Sequence, residues 1–452
     1  MIDFLFDGMP ARGAALAIAE PEGICDYAEL HERVLAWTER MAFEGIERGA
    51  VVSVEGDYGI ETVSVFLALL GRGAVIVPLS RDSAPQRDAF LELGEVEWRI
   101  VAGAMTFVTP TGRSAAHAHY QALRTRKHPG LVLFSSGSTG QPKAAVHDLA
   151  LLLKKFQTPR HAYRTLVFLQ LDHIGGVNTL LYTLANGGAV VVACDRSPRA
   201  VCAAIARYRV ELLPTSPTFL NLLIVSEETR RHDLSSLKLI TYGTEPMPPY
   251  TLERANDCFP GARFLQTYGM TELGILRSKS RDDRSLWVRV GGEGFETRVV
   301  DGRLWIRAES AMLGYLNAPS PFDADGFFDT GDLVEVDGEW MRFLGRNSEI
   351  INVGGNKVYP VEVEAVLLAM DNVEDAVVHG EPNAISGQAV VAHLKLRQEE
   401  ALPSVKVRLR RFCLERLAPY KVPTRIIVSA EPLHTSRYKR SRRAGVACSG
   451  AA

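Results

Sequence analysis

Residues 131–146, LVLFSSGSTGQPKAAV, carry the most legible chemistry of the chain. An apolar run feeds into Ser135, Ser136, Gly137, Ser138, Thr139 and Gly140, and Lys143 follows. Small residues let successive backbone N–H groups turn toward one anion, hydroxyls add donors, and a lysine adds charge. A triphosphate needs those three things. The spacing is not that of a Walker A loop, because Pro142 precedes the lysine and Ala144 follows it where a Ser or Thr would stand. Read alone, the segment also fits a flexible Gly/Ser loop.

Four later segments offer further pieces. In residues 266–274, QTYGMTELG, Tyr268 supplies a flat ring that can stack a base. Thr271 supplies a hydroxyl, and Glu272 a hard oxygen ligand suited to Mg²⁺ on a phosphate. Taken singly, this is also a turn with an incidental acid. In FDTGDL, residues 328–333, Asp332 can accept hydrogen bonds from both hydroxyls of a ribose, or serve as a turn aspartate. Residues 345–364 place Arg346 where it can serve a ribose or phosphate, and Gly354 and Gly355 permit close approach of backbone to a ligand. An ordinary inter-domain turn has the same composition. Residues 419–443 end in TSRYKRSRR, which by itself reads as a solvated basic tail or a weak nucleic-acid patch.

These pieces need a large scaffold. The chain has 452 residues, enough for about three compact units. Apolar residues make up 46% and charged residues 23%, which excludes extensive disorder. A net charge of −2 excludes a globally basic nucleic-acid binder. Cys25, Cys194, Cys202, Cys258, Cys413 and Cys448 form no C-x-x-C pair, so free thiols in a reducing compartment are expected rather than a zinc ribbon. Asp3 and Asp7 stand where a secretory signal needs positive charge, so a cytoplasmic location is expected. Residues 174–194 carry no charge and are long enough to span a bilayer. The pair Gly187-Gly188 instead divides them into an apolar helix, a turn and a buried strand.

From about residue 130 to 266, apolar strands alternate with helices. Strands are expected at 131–134, 166–171, 189–192, 211–214, 239–242 and 263–266, and helices at 148–156, 174–185, 199–208, 217–225 and 249–258. Strands apolar throughout imply a parallel sheet covered on both faces. The first hundred residues repeat the style, with helices at 27–43 and 62–70 and strands at 51–54 and 74–77. After residue 270 the strands become short and polar-punctuated, as in a small antiparallel sheet. The expected fold class is α/β: a large N-terminal domain, residues 1–345, of layered, mainly parallel α/β subdomains plus a small antiparallel β subdomain, and a small mobile α+β C-terminal domain, residues 346–452.

In their order and spacing, SSGSTGQPK, YGTEP (242–246), TYGMTE, TGD (330–332), GR (345–346) and YKVP (420–423) resemble the adenylate-forming superfamily. That superfamily includes acyl-CoA synthetases, nonribosomal-peptide adenylation domains and beetle luciferases, and the likeness runs from about residue 27 to 439. The resemblance implies ATP-dependent activation of a carboxylic acid to an acyl-adenylate with release of pyrophosphate, then transfer to a thiol, of CoA or of a carrier protein's phosphopantetheine. It implies that Ser135, Ser136, Gly137, Ser138, Thr139, Gly140 and Lys143 hold the phosphates. Adenine lies between the backbone of Gly243, Thr244 and Glu245 and the ring of Tyr268. Thr271 contacts the α-phosphate, Glu272 holds Mg²⁺, and Asp332 takes the ribose hydroxyls with help from Arg346. Lys439 neutralises the carboxylate and the transition state, and rotation of the C-terminal domain brings Gly354 and Gly355 toward a thiol tunnel.

The sequence departs from the family pattern in three places. Tyr438 stands where a Gly commonly precedes the catalytic lysine, Ser348 holds the usual Asp or Lys hinge position, and the first subdomain is short. In the family, adenylation domains for α-amino acids place an Asp after the position of His173, and here Ile174 occupies it. LDHIGG is closer to the acyl- and aryl-CoA synthetases, where such a His gates the acyl pocket. His173, Ile174 and Gly243 are therefore expected to line that pocket, and the substrate to be an aryl or short-to-medium acyl acid without a paired α-amine. Transfer to a carrier protein or to an amine, and a silent nucleotide-binding protein, are the competing readings. A monomer or homodimer is expected, with no nucleic-acid partner and no membrane span.

Overall fold

The computed structural model describes residues 2–136, 141–435 and 438–440. The centre of the hydroxyl-rich loop (Gly137, Ser138, Thr139 and Gly140) lies outside the described residues, as do Arg437 and Cys448. Val51–Glu55 and Val75–Leu79 are buried at every position. Strands apolar on both faces belong in the middle of a covered parallel sheet. They pair in parallel with each other, and onward with Gly130–Ser136 and Trp98–Val101. Antiparallel strands Pro142–Asp148, Gly314–Tyr315 and Phe107–Pro110 complete seven.

A second seven-stranded sheet runs Arg263–Gln266, Leu239–Tyr242, Leu212–Thr215, Arg164–Leu166, Ala189–Val191, Leu16–Glu20 and Gly23–Asp26. All its neighbours are parallel except the last hairpin. Helix Ile60–Arg72 is buried on all sides from Thr62 to Leu70 because it lies in one apolar core with residues of both sheets. Helix Ile174–Ala185 joins the same core. It is followed by a turn and strand Ala189–Val191, the reading expected for residues 174–194. Among the described residues no helix is long and apolar enough to cross a membrane.

A six-stranded antiparallel sheet follows, with Phe328–Asp337 and Trp340–Arg346 at its centre. Its last strand ends at Arg346, a single turn spans Asn347–Glu349, and a separate five-stranded sheet with its own core begins at Ile351–Val353. Helices Pro360–Leu368 and Leu402–Leu414 accompany it. Buried Cys25, Cys202 and Cys413 and exposed Cys194 and Cys258 are all free thiols.

Four elements differ from the sequence reading. Residues 142–148 form a strand, so Lys143 sits on a hairpin arm rather than in a loop. The strand expected at 166–171 stops at Leu166. Beyond it the chain leaves the sheet, and Asp172 is captured by the hydroxyls of Ser80 and Ser83 at 2.6 and 2.8 Å. Asp332 lies within a ten-residue strand, not a turn. The edge hairpin Leu16–Asp26 was not anticipated, since its short strands carry no long apolar run.

Candidate active site

The two large sheets, the antiparallel sheet and the C-terminal domain surround one cavity of about 1910 Å³. Ser135, Lys143, Thr271, Glu272, Arg346 and Lys439 reach its wall, and so do His173, Ile174, Gly243 and Thr244. Glu245, Tyr268 and Asp332 stand behind the wall. Gly354 and Gly355 form an exposed hairpin turn of the C-terminal domain away from the cavity.

At one end, the hairpin register sets Lys143 opposite Ser135, and Ser136 opposite Pro142. The short strand Gly314–Tyr315 pairs with the same arm, Tyr315 against Ala145. The Lys143 ammonium therefore sits 5.0 Å over the Tyr315 ring, while the Tyr315 hydroxyl donates to Glu272 Oε1 at 2.6 Å. Burial and the adjacent carboxylate push the Tyr315 phenol well above its ordinary pKa, so it remains a donor. Lysine and glutamate are held apart by one ring, a cation for phosphate beside a hard oxygen ligand. Mg²⁺ bound by one protein carboxylate, substrate phosphates and water fits such a site.

At the end expected to take the nucleoside, strand Leu239–Tyr242 delivers Gly243 and Thr244. A Cβ at Gly243 would lie 2.7 Å from the Thr267 carbonyl oxygen, so only glycine allows these strand ends to approach. Thr244 takes a left-handed conformation, φ +72°, a sparsely populated state that tends to cluster at ligand sites. Tyr268 donates to Asp332 Oδ2 at 2.6 Å, and its ring stacks on Phe343 with centroids 4.6 Å apart. One face of the ring expected to hold a base is thus covered by protein. Arg346 approaches Asp332 Oδ1 at 3.5 Å. Burial raises the Asp332 pKa, and the Arg346 guanidinium opposes the rise. Glu245 accepts from the Thr218 N–H at 2.8 Å and from the Arg440 N–H at 3.3 Å, so it joins the start of helix Pro217–Ser226 to the lysine-bearing segment.

At the third side, His173 stands at the N-cap position of helix Ile174–Ala185 without a side-chain capping bond. A Cβ at Gly176 would lie 1.9 Å from the Gln170 carbonyl oxygen, which explains why this helix can begin so tightly against the preceding loop. Asp172 Oδ1 lies 3.7 Å from His173 Nε2, so the serine-held carboxylate also faces the imidazole.

The lysine-bearing segment is anchored on both sides of Lys439. Tyr438 packs its ring against Phe219 and Phe168, with centroids 5.0 and 5.4 Å apart. Its hydroxyl donates to the Arg196 carbonyl at 2.7 Å, and its own carbonyl accepts from Ser216 at 2.9 Å. All four contacts are with the N-terminal domain. Tyr438 has φ +53°, the conformation that explains a glycine at this position elsewhere in the family. Arg440 reaches the opposite way: its side chain is 2% exposed and lies 3.2 Å from Glu364 and 3.6 Å from Asp375, both inside the C-terminal domain. Of the basic residues in TSRYKRSRR, Arg440 is thus not solvated. Arg440 is an interior ion pair and offers no surface charge to nucleic acid.

Sequence reasoning missed Tyr315, Asp172, Arg440 and Lys155. The acid beside His173 and the apolar helix that carries Glu364 were signals for two of them. Tyr315 reaches Glu272 through a two-residue strand that no periodicity reveals.

A hairpin that sets Lys143 opposite Ser135, the Tyr268–Asp332–Arg346 cluster and a lysine carried in by a second domain make the layout of an adenylate-forming ligase. The family model described as "AMP-binding enzyme" matches residues 11–316, and "AMP-binding enzyme C-terminal domain" matches residues 362–437. The chain belongs to the AMP-binding enzyme family and activates a carboxylic acid at the expense of ATP. It is 25% identical to 3-[(3aS,4S,7aS)-7a-methyl-1,5-dioxo-octahydro-1H-inden-4-yl]propanoyl:CoA ligase of Rhodococcus jostii (strain RHA1), over 91% of each chain. It is 26% identical to 2-succinylbenzoate–CoA ligase of Geobacillus kaustophilus (strain HTA426), over 95% of this chain and 94% of that one. The fold matches the anthranilate CoA ligase AuaEII, solved with anthranoyl-AMP, with a TM-score of 0.80 at 22% identity over 97% of this chain and 95% of that one.

Proposed function

We propose that this ligase adenylates an aryl or short-to-medium acyl acid lacking an α-amine and passes the acyl group to the thiol of CoA. The observation that carries the reading is the shared wall. Lys439 and the Lys143–Tyr315–Glu272 set open on the same cavity as His173 and Ile174. Lys143 and the hydroxyl loop bind the phosphates, and Thr271 meets the α-phosphate. Mg²⁺ on Glu272 supplies charge neutralisation for the departing pyrophosphate. Asp332, oriented by Tyr268, takes the ribose, and Arg346 assists. Lys439 balances the incoming carboxylate against the anionic phosphorus centre. Preorganised charge aimed at such a transition state is worth on the order of 10²–10³ in rate. Ile174 offers no charge to pair with an α-amine, which favours acids without one. The relatives named above, CoA ligases for ring-bearing acids, support the same acid class and acceptor. Incubation with ATP, Mg²⁺, a panel of acids and CoA, read as acyl-CoA and AMP, tests it.

A second reading rests on Tyr438. Its anchorage in the N-terminal domain holds Lys439 in the cavity and opposes domain rotation, which favours handing the adenylate to a small amine without a thiol step. Replacing CoA with hydroxylamine or a primary amine separates the two.

A further inference from the structure

Lys155 is a cation on the cavity wall without a counter-charge. Its ammonium donates to Asn178 Oδ1 at 2.6 Å and to the Ile275 carbonyl at 2.8 Å, and it lies 5.0 Å over the Phe156 ring. No ion pair joins it to a carboxylate among the described residues. Burial, and after it the positive charges of Arg277 and Arg160, hold its pKa down at about 7. A half-buried cation without a counter-charge is costly to keep. Neither Asn178 nor a carbonyl neutralises it, and an ammonium has three N–H donors, of which these two acceptors use two. The position is also specific. Asn178 stands one helical turn beyond Ile174, so both side chains share the helix face that begins at His173. Five residues of helix from His173 to Asn178 span about 7.5 Å. Lys155, Asn178 and Ile275 all reach the same cavity as His173.

We infer that the far end of the acyl pocket holds a second carboxylate of the substrate, paired with Lys155 and flanked by Asn178. The substrate class is then a dicarboxylic acid. One carboxylate is activated at Lys439, and the other sits several ångströms along helix Ile174–Ala185. This inference rests on the proposed adenylation and narrows it.

Two measurements on the full chain keep their failures apart. The first is ATP–pyrophosphate exchange with matched pairs, hexanoate against hexanedioate and benzoate against benzene-1,4-dicarboxylate. The diacid of at least one pair is expected to have a kcat/KM at least tenfold above its monoacid. Lys155→Met should lower that diacid-to-monoacid ratio at least tenfold, and Lys155→Glu should shift preference toward 6-aminohexanoate. The second is thermal unfolding with each acid present, which reads binding without chemistry. Diacids should raise Tm more than monoacids in the wild type and lose that advantage in Lys155→Met. Equal or better use of monoacids, or a ratio that Lys155→Met leaves unmoved, overturns the inference. Should no acid support exchange, adenylation itself has failed, and the Tm comparison still decides the subsite. If Lys155→Met does not fold, the wild-type preference alone decides.

Discussion

Tyr268 and Asp332, 64 positions apart, are joined by a 2.6 Å hydrogen bond from the phenol to the carboxylate. The bond links the loop after strand Arg263–Gln266 to the middle of the antiparallel sheet. It fixes a carboxylate that otherwise has the Arg346 guanidinium beside it at 3.5 Å. A hydrogen bond to a charged group is worth roughly 1.5–3 kcal/mol. Tyr268→Phe should therefore raise KM for ATP about tenfold or more with a smaller change in kcat. Asp332→Ala should abolish discrimination between ATP and 2′-deoxy-ATP. Exchange kinetics with both nucleotides check this, and unchanged discrimination in Asp332→Ala would remove Asp332 from the ribose site.

The Tyr315–Glu272 bond makes a separate prediction. Without the phenol, Glu272 is less firmly oriented beside Lys143. Tyr315→Phe should raise the Mg²⁺ concentration for half-maximal activity several-fold. Glu272→Gln, which removes the charge, should lower the adenylation rate on the order of 10²-fold. A Mg²⁺ titration of both variants is the check, and an unmoved Mg²⁺ requirement in Glu272→Gln would exclude it as a ligand.

Tyr438 and Arg440 flank Lys439, and their side chains hold to opposite domains. Tyr438→Gly restores the residue common in the family while releasing the ring from Phe168 and Phe219. It should slow adenylation about tenfold and leave conversion of preformed acyl-adenylate to thioester equal or faster. Single-turnover measurement of the two half-reactions separates the effects. Equal slowing of both would mean that Tyr438 only supports folding.

His147 gives a pH prediction. It is fully buried on strand Pro142–Asp148, and burial drives its pKa down to about 4. Its folded value lies below the unfolded value of 6.5. The unfolded chain therefore binds the proton first as pH falls. The stability tied to neutral His147 is intact above pH 6.5 and is lost progressively toward pH 4. The loss is about 3 kcal/mol in all. Denaturant unfolding of wild type and His147→Gln between pH 7 and 4.5 should show the wild type losing stability more steeply. Parallel curves would contradict it.

Much of this was legible in the sequence where local chemistry and long-range position coincide. Helices Ile174–Ala185 and Pro217–Ser226 were readable because periodicity is local. So was the alternation that builds the parallel sheets. The clustering of Lys143, Glu272 and Lys439 was expected only through family resemblance, since no spacing rule brings positions so far apart together. What stayed hidden depends on tertiary pairing. Tyr315 enters the site on a two-residue edge strand. Arg440 looked like one basic residue among many until Glu364 and Asp375 enclosed it. The environment of Lys155 is set by Asn178 and Ile275, neither of them near it in sequence.

The most direct test of the account is ATP–pyrophosphate exchange by the wild type and Lys439→Ala across aryl, acyl and α-amino acids. The account predicts exchange with an aryl or acyl acid, little with α-amino acids, and a loss on the order of 10²–10³-fold in Lys439→Ala. Full exchange in Lys439→Ala, or exchange confined to α-amino acids, would contradict it.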